Sequence, residues 1–330
     1  MAALKALFIG GTGTISSACT VLAAQEGFDL TLLNRGTRPA AVPEGVTVLK
    51  GDIADEAAIT DLLGDRHFDV VVDFIAYRPE QVARDIRLFR GKTNQYIFIS
   101  SASAYQKPVT DYLITESTPL ANPHWQYSRD KIACEDLLME AYRDTGFPIT
   151  IVRPSHTYGE RAIPVAIHGA KGSWQTMQRI LDGKPVVVHG DGLSWWTFTY
   201  NTDFAVGFVG LMGNSHAIGQ AVHITSDEKI TWDAAYACIG RALGRAPVLA
   251  HISSDTLIKY NPDFEGPLLG DKSHSVIFDN SKIKRLVPHF CASIRFDQGI
   301  RRTIDFFMAH EEYRIPDPDF DAFCDKIIGV

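Results

Sequence analysis

The sequence predicts an α/β fold: a doubly wound parallel sheet followed by a smaller mixed α/β lobe. Two observations carry that expectation. Six short runs, Leu4 to Ile9, Asp29 to Leu33, Val46 to Leu49, Asp69 to Asp73, Gln95 to Ile99 and Pro148 to Arg153, are nearly wholly apolar, as strands buried on both faces are. The segments between them, such as Ala58 to Leu63 and Pro79 to Phe89, carry helical spacing instead. Repeated βαβ units with right-handed crossovers give a parallel sheet covered by helices on both sides, with ligands at the carboxyl ends of its strands. From about Ala162 onward Gly, Pro and Trp are frequent and helices alternate with short isolated strands, which reads as the smaller lobe, packed on the first rather than tethered to it.

Composition narrows the function. With 330 residues, 45% hydrophobic and 22% charged, the chain has the make-up of an ordinary globular protein and enough length to bury a core without disulfides or structural metal. Its five cysteines are scattered and never form a C-x-x-C pair, so no disulfide framework and no metal site is indicated, and a reducing, cytoplasmic setting fits. Neither secretion nor membrane insertion is expected, because the first residues run straight into an apolar strand and no apolar run approaches the roughly 20 residues that span a bilayer. A net charge of -7 disfavours a phosphate backbone as partner. A small-molecule enzyme is the better expectation.

The first strand empties into Gly10-Gly11-Thr12-Gly13-Thr14-Ile15-Ser16, directly before a helix. Glycines there permit a tight turn and let backbone amides approach a pyrophosphate at the positive end of the helix, which defines a Rossmann-type site at Gly10, Gly13, Thr14 and Ile15. Ser16 stands where a third glycine is usual; it is small enough for close helix packing and able to cap. The second strand ends in Leu33-Asn34-Arg35-Gly36, without the acid that holds the 2′-hydroxyl of NAD. Arg35 is suited to a 2′-phosphate or to stacking on adenine, so the cofactor is NAD(P) with a lean toward NADP, against the alternative of a solvated loop arginine. Residues 1–165, with a return segment at 195–227, are expected to form the NAD(P)-binding domain, and 166–194 with 228–330 the substrate-binding lobe.

In His124-Trp125-Gln126-Tyr127-Ser128-Arg129-Asp130-Lys131, helical spacing places Tyr127 and Lys131 one turn apart on one face. A phenol used as acid or base near neutrality needs nearby positive charge, and the Lys131 ammonium is expected to favour the tyrosinate. The pair alone is common by chance. It gains weight from Ile99-Ser100-Ser101-Ala102-Ser103-Ala104-Tyr105 at the end of the fifth strand, where a hydroxyl can meet the reacting substrate oxygen.

With these elements in order, the sequence resembles the extended, atypical short-chain dehydrogenase/reductase family, the NAD(P)-dependent sugar epimerases and dehydratases, over almost its whole length. Further matching segments are Gly51-Asp52-Ile53, Phe74-Ile75-Ala76, Val152-Arg153-Pro154-Ser155-His156-Thr157-Tyr158-Gly159, Asp279-Asn280-Ser281-Lys282 and Phe296-Asp297-Gln298-Gly299-Ile300. The resemblance implies that Asp52 and Ile53 hold adenine, that Phe74, Ile75 and Ala76 pass under the cofactor, and that Pro154 lies beside the nicotinamide. It implies Ser101, Tyr127 and Lys131 as the catalytic set, with Tyr127 and Lys131 also touching the cofactor. Ser103 and His156 are candidate substrate contacts, and family members are often homodimers.

Three departures bear on the reaction. Where family 4,6-dehydratases carry an Asp-Glu pair after the catalytic hydroxyl, this chain has Ala102 and Ser103, so that elimination is not expected. Trp196 and Leu269 stand where members acting on nucleotide-diphosphate sugars carry arginines. A diphosphate there lacks charge-assisted contacts, so the expected substrate is a sugar or sugar-like hydroxy compound without one, with Trp196 either stacking on it or packing in the core. The leading expectation is an epimerase or dehydrogenase. The alternative is a dinucleotide-binding regulatory or RNA-associated protein without turnover.

Overall fold

In a computed structural model, residues 3–36 and 42–329 are described. The elements follow in chain order: β1 (Lys5–Ile9), α1 (Thr14–Gln25), β2 (Asp29–Asn34), β3 (Thr47–Lys50), α2 (Glu56–Leu63), β4 (Val70–Asp73), α3 (Pro79–Phe89), β5 (Tyr96–Ile99), β6 (Leu113–Ile114), α4 (Gln126–Thr145), β7 (Ile149–Pro154) and β8 (His156–Tyr158). Then come α5 (Trp174–Asp182), β9 (Pro185–His189), β10 (Trp195–Trp196), β11 (Phe198–Tyr200), α6 (Asn201–Leu211), β12 (Gln220–Ile224), β13 (Ile230–Thr231), α7 (Trp232–Leu243) and β14 (Val248–Ile252). The chain closes through α8 (Ser254–Tyr260), α9 (Glu265–Pro267), a π-helical turn at Leu268–Lys272, β15 (Ile277–Phe278), α10 (Ser281–Leu286), α11 (Phe296–Ala309) and α12 (Pro318–Ile328).

Seven strands form one sheet in the order β3-β2-β1-β4-β5-β7-β12, every pairing parallel. Alternation along the strands divides the core. Ala6, Phe8, Val70, Val72, Ile97 and Val222 meet Phe204 and Phe208 of α6 on one face. Leu7, Ile9, Val71 and Phe98 meet Val82 and Phe89 of α3 and Leu138 of α4 on the other. Both faces are covered, which is why these strands read as continuous apolar runs. The strand order reverses direction between β1 and β4, the place where such sheets bind ligands at their carboxyl ends.

The remaining strands pair in short ladders, β8 with β11, β9 with β14, β10 with β13 and β6 with β15. They surround a second core in which Trp196, Phe198, Trp232 and Phe296 pack together. No helix among the described residues is long and apolar enough to cross a membrane.

Candidate active site

The turn after β1 is built for a close neighbour. Gly10 and Gly11 have φ of 98° and 113°, and a Cβ on Gly11 would meet Leu32 at 2.9 Å. Thr20 Oγ1 donates to the Gly11 carbonyl at 2.9 Å, pinning the turn to α1. The first helical bond of α1 runs from Ser17 N to Gly13 O, so the amides of Thr14, Ile15 and Ser16 lie ahead of the ladder at the positive end of a twelve-residue helix. Ser16 does cap: its Oγ accepts from Gly13 N at 2.8 Å. A cradle without side chains, rimmed by donors, fits a dinucleotide pyrophosphate.

Around that cradle stand the other expected cofactor residues. The Asn34 amide nitrogen is placed to donate to the carbonyls of Gly10 and Leu33 at 2.6 and 3.1 Å, tying the end of β2 to the turn. Arg35 is exposed beside it. Asp52 is exposed and accepts from Ala54 N at 3.0 Å, while Ile53 is buried behind it. At the end of β4, Ile75 is exposed and Ala76 buried. Pro154 closes β7 and is buried.

Three strand ends and one helix bring the chemical groups together. Ser101 caps the short helical turn 102–104 after β5; its hydroxyl accepts from Ser103 N at 3.1 Å and lies 2.9 Å from Ser103 Oγ. Ser128 of α4 donates to Ser103 Oγ at 2.8 Å, so Ser103 is buried and occupied within this chain of hydroxyls. Tyr127, at the start of α4, packs on Trp125 with ring centroids 4.9 Å apart. Burial pushes its phenol up to about 12, with the Ser101 hydroxyl as the main opposing influence.

One turn on, Lys131 Nζ donates to the carbonyls of Ala76 and Ile99, both at 2.7 Å, and lies 4.5 Å from the Tyr77 ring centroid. Burial lowers this ammonium to about 8. The expectation that Lys131 favours the tyrosinate is corrected here for the chain by itself. The ammonium is turned to two carbonyls and sits 5.9 Å from the Tyr127 ring centroid, and desolvation of the phenol outweighs it.

A cleft of about 930 Å³ opens beside this set, lined among others by Trp125, His156, Arg161, His168, Lys171 and Lys272. His156 is pushed down to about 3 by burial, so its imidazole is neutral, and it contacts the Phe198 and Trp232 rings. Trp196 is buried in the aromatic core against Trp232 rather than on the cleft wall, whereas neighbouring Trp195 is 45% exposed. The ammonium of Lys272 lies over the Trp125 ring, 5.8 Å from its centroid, and its nearest carboxylate, Asp271, is 3.9 Å away. The cleft therefore holds cations at positions other than those of Trp196 and Leu269. Tyr77, Trp125, Asn122 and Lys272 had not been singled out as site residues. Trp125 stood inside the Tyr-Lys segment, but Asn122, which donates to the carbonyls of Ser103 and Gly270 at 2.8 and 2.7 Å, carried no signal of its own.

A doubly wound sheet with a glycine cradle at its switch point and a Ser, Tyr, Lys set beside it defines a dinucleotide-dependent enzyme of the extended short-chain dehydrogenase/reductase type. A sequence model of the NAD dependent epimerase/dehydratase family matches residues 6–224, and the chain belongs to that family. It is 26% identical over 288 residues to the 2'-dehydrokanamycin reductase of Streptomyces kanamyceticus, covering 87% of this chain and 80% of the relative. It is also 26% identical over 271 residues to the chloroplast stem-loop binding protein of 41 kDa b of Arabidopsis thaliana, covering 78% and 66%. Its fold is similar to that of the dTDP-glucose 4,6-dehydratase of Bacillus anthracis in complex with NAD, with a TM-score of 0.74 at 19% identity over 94% of this chain and 98% of that one.

Proposed function

We propose that this enzyme oxidises or reduces one carbon of a sugar or sugar-like molecule, as an epimerase or a reductase rather than a 4,6-dehydratase. The observation that carries this reading is the convergence of Ser101, Tyr127 and Lys131 at the end of β5 and the start of α4, beside the 74–77 turn and the mouth of the cleft. Bound NAD(P) supplies the hydride acceptor or donor at its nicotinamide. Thr14 and Ile15 hold the pyrophosphate with their amides. Ser101 donates to the reacting oxygen and orients it. Tyr127 takes the hydroxyl proton in the oxidising direction and returns it in the reducing one. Lys131 holds the nicotinamide ribose, and the positive charge of an oxidised nicotinamide adds to its own in lowering the phenol from the value burial imposes. No carboxylate joins the hydroxyl chain of Ser101, Ser103 and Ser128, which is what counts against water elimination.

The lean toward NADP rests on Arg35, since the Asn34 amide is engaged by the Gly10 and Leu33 carbonyls and offers no carboxylate to a ribose diol. His156, neutral and on the cleft wall, suits a substrate hydroxyl as donor or acceptor. Lys272 suits an acidic substituent, so nucleotide sugars belong in the test beside free sugars, glycosides and a keto-aminoglycoside like the one named for the Streptomyces relative. The assay follows absorbance of the reduced cofactor for each compound with NAD and with NADP, with Tyr127→Phe as control. Turnover that Tyr127→Phe leaves intact overturns the reading.

A further inference from the structure

Behind the 74–77 turn lies a buried charge cluster that the reaction above does not use. Asp73, which ends β4, and Asp85 of α3 are both fully buried. One Asp73 oxygen accepts from Ile75 N and, at 2.8 Å, from Ala76 N. The other makes no hydrogen bond and faces Arg84 Nη2 at 3.5 Å. Arg84 commits Nε and Nη2 to Asp85 at 2.9 and 2.7 Å, and Tyr96 Oη donates to the second Asp85 oxygen at 2.6 Å. Burial and the adjacent Asp73 push the Asp85 carboxyl well up, so the pair keeps one proton on Asp85 and its negative charge on Asp73.

The Ala76 amide bound by Asp73 belongs to the residue whose carbonyl accepts from Lys131 Nζ. The other groups around Lys131 leave its charge unbalanced. On α4, the Cys134 thiol is pushed up to about 12 and is neutral, and Glu135 is paired with Arg153 of β7 through a 3.0 Å bond and with Ser100. Tyr77, Phe98 and Tyr127 present rings, and Ala76 and Ile99 present carbonyls. Carbonyls and ring faces orient an ammonium without neutralising it. Asp73 is the carboxylate nearby with an oxygen to spare.

We propose that Asp73 is the positioning residue for Lys131, fixing through the 74–77 turn the carbonyl that holds the ammonium and supplying the negative charge that balances it. This rests on the reading of Lys131 as a cofactor-side residue, and the test separates the two. Asp73→Asn keeps an oxygen for Ile75 and Ala76 N–H, and frees Asp85 to ionise against Arg84. Asp85→Asn keeps Asp73 facing Arg84. Each variant thus retains one carboxylate for the guanidinium, and Asp73→Ser gives the same reading should asparagine not be tolerated.

The full chain is labelled with [ε-¹³C]lysine, the Lys131 resonance is assigned by its loss in Lys131→Met, and its pH midpoint is followed. Removing a negative charge disfavours the ammonium, so Asp73→Asn moves the midpoint down by about one unit, while Asp85→Asn leaves it in place. In Asp73→Asn the alkaline loss of NAD affinity, followed by calorimetry, moves down in step. An unchanged midpoint in a folded Asp73→Asn, or an equal shift in Asp85→Asn, overturns the proposal. Unchanged NAD affinity in Lys131→Met overturns instead the cofactor-side reading of Lys131, and with it this use of Asp73.

Discussion

Tyr127 is held against its own ionisation in the chain alone, and that makes the residue scale the first place to test the chemistry. Tyr127→Phe keeps the ring that packs on Trp125 and removes only the proton carrier. Turnover falls by about 10²- to 10⁴-fold, while the NAD dissociation constant from calorimetry stays at its wild-type value. Arg35→Ala weakens NADP selectively, by about 1 to 3 kcal/mol for a lost charge-assisted contact; equal weakening of NAD and NADP in parallel titrations shows that the guanidinium does not read the 2′-position. Single residues were also where sequence reasoning was most uneven. The spacing of Tyr127 and Lys131 on a helix fixes their shared face, because three intervening residues make one turn whatever else the fold does. It does not say which way an ammonium turns, and Lys131 turned to Ala76 and Ile99, both remote in sequence. Trp196 had two readings open from sequence, and burial beside Trp232 is a tertiary fact no local pattern encodes.

At the scale of elements, the glycine turn joins two different demands in four residues. Gly13 sits at φ −84°, ordinary for any residue, and a Cβ there would meet only Ser16 Oγ, at 3.4 Å. Gly13→Glu therefore folds and loses NAD(P) binding, since a carboxylate then occupies the place of the pyrophosphate; calorimetry beside a thermal melt checks both halves. Gly11 has the opposite character. Its positive φ and the Leu32 contact make Gly11→Ala cost about 1 to 3 kcal/mol of stability, read as a lowered denaturant midpoint. The expected strands match the observed ones to within a residue or so, and Pro79–Phe89 matches end to end. Those elements are buried on both faces or are amphipathic, so their periodicity survives folding. Ladders such as β8 with β11, three residues each, are too short to leave a period and exist because the two segments meet.

For the whole molecule, two buried histidines tie stability to pH. Burial lowers His156 to about 3 and His189 to about 4, both below the 6.5 of a free imidazole. The unfolded chain therefore binds these protons first, and the stability is present in full above pH 6.5 and lost as pH falls toward 4 and then 3. Thermal melts between pH 7.5 and 4 show a falling midpoint, and a double His156→Asn, His189→Asn variant that folds flattens it. The sheet carries one more consequence, for synthesis on the ribosome. Its seventh strand, β12, pairs with β7 although α5, α6, α7's predecessor strands β8 to β11 and the residues between intervene in the chain. Until Ile224 has emerged, the growing chain carries β7 with a bare edge, its unpaired amides and carbonyls open to neighbouring nascent chains. A stalled chain ending after α6 therefore needs a holding chaperone, and release beyond β12 ends that need.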